Sequence, residues 1–238
     1  MRVSPTAADP TMSNEYNIKV IARIRTGFPE KFGIPRQSGL VNSLTGKIVF
    51  EPEYRNSDAV RGLDEFSHLW LIWQFSETVR DSWSPTVRPP RLGGNKRMGV
   101  FATRSPFRPN AIGLSSVKID RVEPHTEEGP VIYVLGADLM DNTPVFDIKP
   151  YLAYTDSHPD ASGGFTEPLD DRSLTVNIPD RLLKKVPEES REALRDLLAE
   201  DPRPSYQHDG ERIYRFDFSG MAVAFKVVGK QLEVTEIE

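Results

Sequence analysis

The sequence contains no cysteine, and this absence excludes several kinds of chemistry. A chain of 238 residues without cysteine forms no disulfide, offers no thiolate to a metal ion and has no cysteine nucleophile. It has only 4 histidines, and no two of them stand at the sequence spacing of a metal site. We therefore expect no metal site, no oxidising compartment and, by default, a location in the cytoplasm.

Several familiar motifs are absent as well. The sequence has no phosphate-binding loop, no Gly-x-Gly-x-x-Gly after a strand and no nucleophile elbow, which mark the common nucleotide-binding folds and hydrolases. No segment is apolar enough to span a membrane, and residues 1–15 lack the apolar core of a signal peptide. Residues 1–15 are instead expected to form a disordered lead-in.

Acidic residues are absent from one stretch of an otherwise acidic chain, whose formal net charge is -5. Between Arg88 and Arg108 there is no Asp or Glu, and Pro106 and Pro109 restrict the backbone where the stretch ends. A solvated basic loop is the ordinary explanation of such a run, but the lack of carboxylate partners favours an anionic ligand. The basic residues of the stretch are Arg88, Arg91, Lys96, Arg97, Arg104 and Arg108.

Short strand-like segments separated by turns make up the chain as far as about Tyr154. Alternating or β-branched runs such as 111–119 and 131–135, with almost no helical periodicity between them, predict an all-β sandwich or barrel. Residues 156–172 are rich in Ser, Gly, Pro and Asp, which is typical of a linker. Beyond them, a helical pattern over 188–200 and three strand-like runs predict a small α+β domain over residues 173–238.

Two polar features within the β region are candidates for contact with a ligand. Asp138 and Asp141 lie in an acidic turn, where they could accept hydrogen bonds from hydroxyl or amino groups or one could act as a base. Carboxylates in turns often satisfy only their own backbone, which is the alternative. His68 stands at the polar edge of an apolar run, where a histidine is more often packed than catalytic. From these residues alone, the sequence predicts a β domain that binds an anion.

Residues 98–110 (MGVFATRSPFRPN), followed by Ile112-Gly113-Leu114, resemble the signature of the TsaA-like family, the bacterial tRNA N6-adenine methyltransferases known as TrmO. Asn142 stands where a glycine is common in the family, in a turn that tolerates Asn. Further matches extend the resemblance over essentially the whole chain. They cover residues 35–37, 62–70, 88–95, 138–144, 147–151 and 201–206.

The resemblance implies a fold, an activity, a cofactor and a partner. The family has a single-sheeted β-barrel, which here would occupy residues 16–155, and a small C-terminal domain, so the chain is expected to be mainly β. Members use S-adenosylmethionine to methylate N6 of threonylcarbamoyladenosine (t6A), the base next to the anticodon of threonine tRNAs, which gives m6t6A. They generally act as homodimers with the cofactor near the subunit boundary.

The resemblance also implies the cofactor contacts, and the chemistry of such a substrate suggests roles for the other residues. Arg104 or Arg108 would hold the threonyl carboxylate or the carbamoyl oxygen of the substrate, and Asn110 would orient the base. Asp141 is the remaining catalytic candidate. Contacts with anticodon-loop phosphates would come from Arg88, Arg91, Lys96 and Arg97. The cofactor would lie against Pro35, Arg36, Gln37, His68, Leu69, Arg104, Leu114, Asp138, Leu139, Met140 and Asp141.

Two other functions stay open at the level of sequence. A non-catalytic module that senses S-adenosylmethionine or binds RNA would keep the same pocket without turnover. A hydrolase of a small anionic metabolite is disfavoured, because the sequence offers no nucleophile, metal cluster or paired carboxylates at a plausible site. Transfer of label from S-adenosylmethionine to tRNA would separate the enzyme from the module.

Overall fold

The computed structural model describes residues 15–78, 82–92, 95–167, 173–203 and 209–238. Residues 1–14 of the expected lead-in over 1–15, and part of the expected linker over residues 156–172, lie outside the described residues. The described strands are β1 (Ala22–Arg25), β2 (Thr45–Phe50), β3 (His68–Gln74), β4 (Thr86–Val87), β5 (Met98–Gly99), β6 (Ile112–Thr126), β7 (Gly129–Leu135), β8 (Thr143–Pro150), β9 (Thr175–Asn177), β10 (Tyr214–Phe218), β11 (Met221–Val228) and β12 (Gln231–Ile237). The described α-helices are α1 (Ala153–Asp156), α2 (Asp180–Leu183) and α3 (Arg191–Ala199).

Six antiparallel strands close into a barrel in the order β1-β2-β7-β6-β3-β8. Alternation along each strand directs one set of side chains inward, as in β3, where Leu69, Leu71 and Trp73 are buried between half-buried neighbours. Apolar residues from all six strands form one core cluster inside the barrel. The predicted mainly β fold with a single-sheeted barrel is therefore confirmed.

The C-terminal part is a four-stranded sheet that shares a core with its helices. Strands β10, β11 and β12 form an antiparallel meander, and β9 adds to β12 in parallel. Helix α3 buries Leu194, Leu197 and Leu198 in this core, because the three leucines lie on one face of the helix. The prediction of a small α+β C-terminal domain is confirmed. No helix in the described ranges is long and apolar enough to cross a membrane.

Residues 26–44, called the β1–β2 segment, connect two barrel strands but pack into the C-terminal core. Phe28, Val41 and Leu44 belong to the C-terminal cluster, and Phe32 and Ile34 pack against it. The described residues 26–44 contain no strand or helix and form an irregular loop. The loop is ordered by a core made largely of residues from the other end of the chain.

Aromatic rings make the strongest contacts of the β1–β2 segment with the C-terminal sheet. The rings of Phe28 and Phe218 are tilted with centroids 5.3 Å apart. The ring of Phe32 meets that of Phe216 edge to face, with centroids 6.4 Å apart. Such pairs stabilise by burying apolar area and by ring electrostatics. The segment is therefore held against the C-terminal sheet at two points.

Candidate functional site

Three parts of the chain meet at one mouth of the barrel. They are the β1–β2 segment, the turn of residues 136–142 between β7 and β8, and the loop of residues 100–111 that leads into β6. Gln37 comes from the first, Asp138 from the second and Arg104 from the third. These three side chains are among the predicted cofactor contacts, and the structure brings them together.

Asp138 is a half-buried carboxylate at this mouth. The hydroxyl of Ser115 donates a hydrogen bond to Asp138 Oδ1 at 2.6 Å, and Trp73 Nε1 donates to Ser115 Oγ at 3.0 Å. Ser115 is only 2 % exposed, because it lies in the inward register of β6. A chain of donors therefore runs from the barrel interior to the Asp138 carboxylate and fixes its orientation.

Burial raises the pKa of Asp138 above its ordinary value. The Ser115 hydroxyl, backbone N–H groups of Asp138 and Ser38, and the positive charge of Arg104 act in the opposite direction without outweighing burial. The Asp138 carboxylate is thus partly desolvated and is surrounded by hydrogen-bond donors. Such a group is a strong acceptor for the polar hydrogens of a ligand.

Arg104 links the loop before β6 to the β1–β2 segment. Its Nη1 donates a hydrogen bond to Gln37 Oε1, and its positive charge is felt at Asp138. Arg104 itself is exposed, so its guanidinium is open to an anionic ligand. The arrangement places one cation and one carboxylate side by side at the mouth.

The neighbours of Gln37 have structural contacts instead. Pro35 is buried. Arg36 Nη2 donates to the backbone carbonyl of Arg203 at 3.2 Å, which ties the segment to the C-terminal part. Arg203 is buried in turn and pairs with Asp201 at 2.8 Å. Of the predicted contacts 35–37, Gln37 is the one whose side chain faces Arg104.

Asp141 faces away from Asp138 within the same turn. Its Oδ1 accepts from the Thr26 N–H at 3.0 Å, and its Oδ2 pairs with Arg25 Nη1 at 3.3 Å. Its own N–H donates to the Phe28 carbonyl at 2.7 Å. The carboxylate therefore fastens the turn to the end of β1, and a catalytic role for Asp141 stays a prediction.

Leu139 and Met140 lie between the two aspartates. The Leu139 side chain is buried in the barrel core, and its carbonyl accepts from Thr26 Oγ1 at 3.0 Å. The Met140 carbonyl accepts from Thr143 Oγ1 at 2.8 Å. These bonds hold the backbone of the turn, so any contact of Leu139 or Met140 with a cofactor stays a prediction.

His68, Leu69 and Leu114 do not point into this mouth. Leu69 is buried in the barrel core, whereas His68 and Leu114 lie on the outer register of β3 and β6. In the strand register His68 lies opposite Lys118, three residues along β6 from Ser115 and about 10 Å away along the strand. His68 Nδ1 is within hydrogen-bond distance of the Ser67 hydroxyl, at 2.9 Å. Within one chain, these three residues therefore do not line the mouth that holds Asp138.

The remaining predicted residues lie in or near the loop before β6. Arg108 is half-buried and its Nη1 donates to the Thr103 carbonyl at 3.2 Å, while Asn110 is exposed. The predicted phosphate contacts Arg88, Lys96 and Arg97 are all exposed, and the side chain of Arg91 lies outside the described atoms. Across the described ranges, no three His, Asp or Glu side chains gather where they could hold a metal ion.

Sequence reasoning missed Ser38, Ser115 and Trp73. Ser115 did carry a signal, since it occupies the same alternating register as Val117 and Ile119, where a polar residue needs a partner. Trp73 has the inward register of β3 and an indole N–H that also requires an acceptor. Ser38 acts through its backbone, which no side-chain pattern reveals.

The chain is similar to known proteins over nearly its whole length. A family model described as the tRNA-methyltransferase O N-terminal domain matches residues 23–157, and one described as the TrmO C-terminal domain matches residues 171–238. The chain is 43% identical over 235 residues to a tRNA (adenine(37)-N6)-methyltransferase of Escherichia coli, covering 94% of this chain and 99% of that protein.

Two further similarities point the same way. A putative S-adenosylmethionine-dependent methyltransferase of Pseudomonas aeruginosa is 43% identical over 173 residues, which cover 73% of this chain and 70% of that protein. The crystal structure of TrmO from Pseudomonas aeruginosa superposes with a TM-score of 0.77 at 29% identity, covering 96% of this chain and 99% of that chain.

Proposed function

The chain belongs to the tRNA-methyltransferase O family, and from this membership we propose that it transfers a methyl group from S-adenosylmethionine to N6 of the adenine at position 37 of tRNA. The observation that carries the proposal is the 43% identity with the Escherichia coli enzyme across nearly the whole length of both chains. We expect the enzyme to act in the cytoplasm, where it would meet its tRNA substrate.

The polar groups at the barrel mouth fit this cofactor. S-adenosylmethionine supplies a methyl group on a sulfonium, which needs little further activation. Its α-carboxylate matches the exposed guanidinium of Arg104, which Gln37 orients through a hydrogen bond. Its ammonium and hydroxyl groups match the Asp138 carboxylate, a desolvated acceptor held by Ser115. A cation and a carboxylate side by side match the α-carboxylate and α-ammonium groups, which the cofactor carries on one carbon atom.

We expect Asp138→Asn to weaken S-adenosylmethionine binding about tenfold to hundredfold, since a charge-assisted acceptor becomes a neutral one. The same change should slightly raise the free energy of unfolding at pH 7. The pKa of Asp138 is raised by burial, so the ionised carboxylate opposes folding above that pKa, and this cost disappears as the pH falls towards 4. Calorimetric titration and chemical denaturation at pH 7 and pH 4 measure both effects.

Ser116→Ala is the matched control, because Ser116 neighbours Ser115 on β6 but lies on the outer register. It should leave cofactor affinity and its pH dependence unchanged. An Asp138→Asn variant that binds the cofactor like the wild type would contradict the assignment of Asp138.

The substrate we propose is t6A in threonine tRNA, and the product m6t6A. N6 of t6A is conjugated to a carbonyl, so its lone pair is a weak nucleophile and a nearby cation that stabilises developing negative charge assists transfer. Arg108 is our candidate, because the bond to the Thr103 carbonyl uses one of its five N–H donors and fixes the guanidinium. It would grip the carbamoyl oxygen or the threonyl carboxylate, and Asn110 would orient the base.

The test compares two threonine tRNAs, one carrying t6A but not m6t6A and one transcribed without modification. With labelled S-adenosylmethionine, we expect label only on the first, and mass spectrometry of the nucleosides should identify m6t6A. Equal labelling of both tRNAs would refute the t6A substrate. Binding of the cofactor without transfer to either tRNA would favour the non-catalytic module.

We also propose that the active form is a homodimer. Leu114 is 54% exposed and its neighbour Ile112 is exposed too, so the outer face of β6 presents apolar area near the mouth. His68 and Leu114, both implied as cofactor contacts, lie on this outer register, where a second subunit would enclose them. Light scattering should give twice the 26.9 kDa chain mass, and a monomeric mass would contradict the proposal.

The exposed basic residues Arg88, Lys96 and Arg97 would contact phosphates of the anticodon loop. Arg97 is fixed on the surface by a hydrogen bond from its Nη1 to Thr86 Oγ1 at 3.2 Å. Arg97→Ala should therefore reduce the slope of log Kd against log salt for tRNA by about 0.7 to 0.9, without changing kcat at saturating tRNA. Lys19→Ala removes an exposed cation at a distant position, where Lys19 pairs with Glu53, and should leave the slope unaltered. An unchanged slope in Arg97→Ala would remove Arg97 from the interface.

A further inference from the structure

Two large aromatic side chains are exposed on the two sides, along the sequence, of the basic residues 88–97. Trp83 is 49% exposed and Phe101 is 71% exposed. Their rings stack with centroids 6.1 Å apart and an interplanar angle of 24°. Single exposed aromatics are common, but a stacked pair leaves a continuous apolar surface in water. Neither residue has a part in the proposed methyl transfer.

A short two-stranded ribbon, formed by β4 and β5, positions this pair. Thr86 lies opposite Gly99 in the ribbon, and a bond from the Val100 N–H to the Pro85 carbonyl at 3.0 Å extends the pairing towards the aromatic rings. The aromatic pair lies at one end of the ribbon. At the other end the chain continues into Arg88 and comes from Arg97.

The stretch of sequence that carries the pair has charges of one sign. Residues 82–119 contain seven Lys or Arg and no Asp or Glu, in a chain whose net charge is -5. An aromatic surface next to cations without anions is the combination that binds single-stranded nucleic acid, because bases stack on the rings while the cations hold the phosphates.

We propose that Trp83 and Phe101 form a stacking platform for an anticodon-loop base that flanks the methylated adenine. This rests on the proposed function, since it takes the tRNA anticodon loop as the ligand. Loop bases are partly unstacked, so transferring one onto protein rings costs little. Stacking does not distinguish one base from another strongly, so the platform would orient the loop and leave the choice of base to the site.

The distance from the platform to the site supports a neighbouring base. Phe101 precedes Arg104 by three residues, so their Cα atoms are at most about 10 Å apart. The 3₁₀ turn Val100–Ala102 shortens this path further. A base stacked on Phe101 would thus lie close to the cofactor that Arg104 holds, and so close in the loop to the adenine that receives the methyl group.

An exposed aromatic pair could also be a contact surface for a second copy of the chain. A symmetric dimer through this face would bring two copies of the same carboxylate-free basic stretch together. Like charges juxtaposed across an interface oppose association. Charge complementarity therefore favours a polyanion over a second subunit on this surface.

The experiment measures binding of threonine tRNA carrying t6A to the full chain. Trp83→Ala and Phe101→Ala should each raise Kd about tenfold or more, with an unchanged salt slope, because stacking contacts are lost while phosphate contacts remain. Tyr154→Ala is the matched control, since Tyr154 is an aromatic residue outside the basic stretch that is still more exposed, at 87%, and the variant should bind like the wild type. S-adenosylmethionine affinity and melting temperature should stay the same in all three variants.

Tryptophan fluorescence gives a direct readout that a structural role would not move. Of the three tryptophans Trp73 is buried and Trp70 is half-buried, so tRNA should quench mainly Trp83. Trp83→Phe keeps a ring for stacking and should retain affinity while losing the quenching.

The results separate the platform from the proposed function. Wild-type affinity in both alanine variants would overturn the platform even if methyl transfer to tRNA is observed. A change from dimer to monomer in these variants would also overturn it, because the pair would then be a subunit contact. Tight binding with quenching of Trp83 but no methyl transfer would support the platform and refute the proposed function instead.

Discussion

Replacing Arg104 with alanine is expected to lower kcat/KM for methyl transfer by about 10²–10³-fold, measured with labelled S-adenosylmethionine and t6A-containing tRNA. Arg104 is the cation whose charge reaches Asp138, and it holds Gln37 through a hydrogen bond. Its loss removes a guanidinium from the place where the cofactor carboxylate would bind and releases the side chain of Gln37. Because Arg104 is exposed, the melting temperature should change little.

Two companion variants show whether the effect depends on charge or on geometry. Arg104→Lys keeps the positive charge but loses the planar fork, so it should recover only part of the activity. Arg97→Ala removes a cation from the same basic stretch and should keep kcat. Activity in Arg104→Ala within a few-fold of the wild type would show that the barrel mouth is not the site of transfer.

Gly33→Ala is expected to lower the free energy of unfolding by about 3 kcal/mol, measured by urea denaturation. Gly33 has a φ of +94°, which disfavours any side chain, and a Cβ there would lie 2.5 Å from Cδ2 of Phe216. Phe216 is buried among the C-terminal strands and cannot move aside. The segment that carries Gln37 would have to shift, so cofactor affinity should fall together with stability.

Gly39→Ala separates the backbone effect from the clash. Gly39 has a φ of +78° in the same segment, and a Cβ there would meet nothing within 4 Å. It should cost only about 1 kcal/mol and leave cofactor affinity almost unchanged. Equal destabilisation by the two substitutions would mean that the Phe216 contact does not anchor the segment.

The barrel and its site differ in how much of them the sequence could predict. Alternation in β6 and β7, and the apolar run of β3, predicted strands because an inward register must be apolar. Packing of Phe28 and Leu44 into the C-terminal core could not be predicted, since an irregular loop has no periodicity to show which core it joins. Sequence reasoning placed this segment wholly with the barrel.

Within the site, spacing could not tell Asp138 from Asp141. Both lie in one acidic turn, and only the fold shows that Asp138 meets Ser115 whereas Asp141 is held by Thr26. The positive φ of 64° at Asn142 rotates the chain at this point, and Asn is among the few residues that adopt it readily. The proximity of Arg104 to this turn followed from family resemblance, because residues so far apart in sequence carry no local signal.

The β1–β2 segment shares its core with the C-terminal sheet, and this determines the order in which the molecule can be completed during synthesis. Phe28 is translated 190 residues before Phe218, the ring against which it packs. A nascent chain could close its barrel once β8 has been made, yet the segment bearing Gln37 would still lack its packing partners. The barrel mouth would therefore take its final form only when β10 to β12 have been translated.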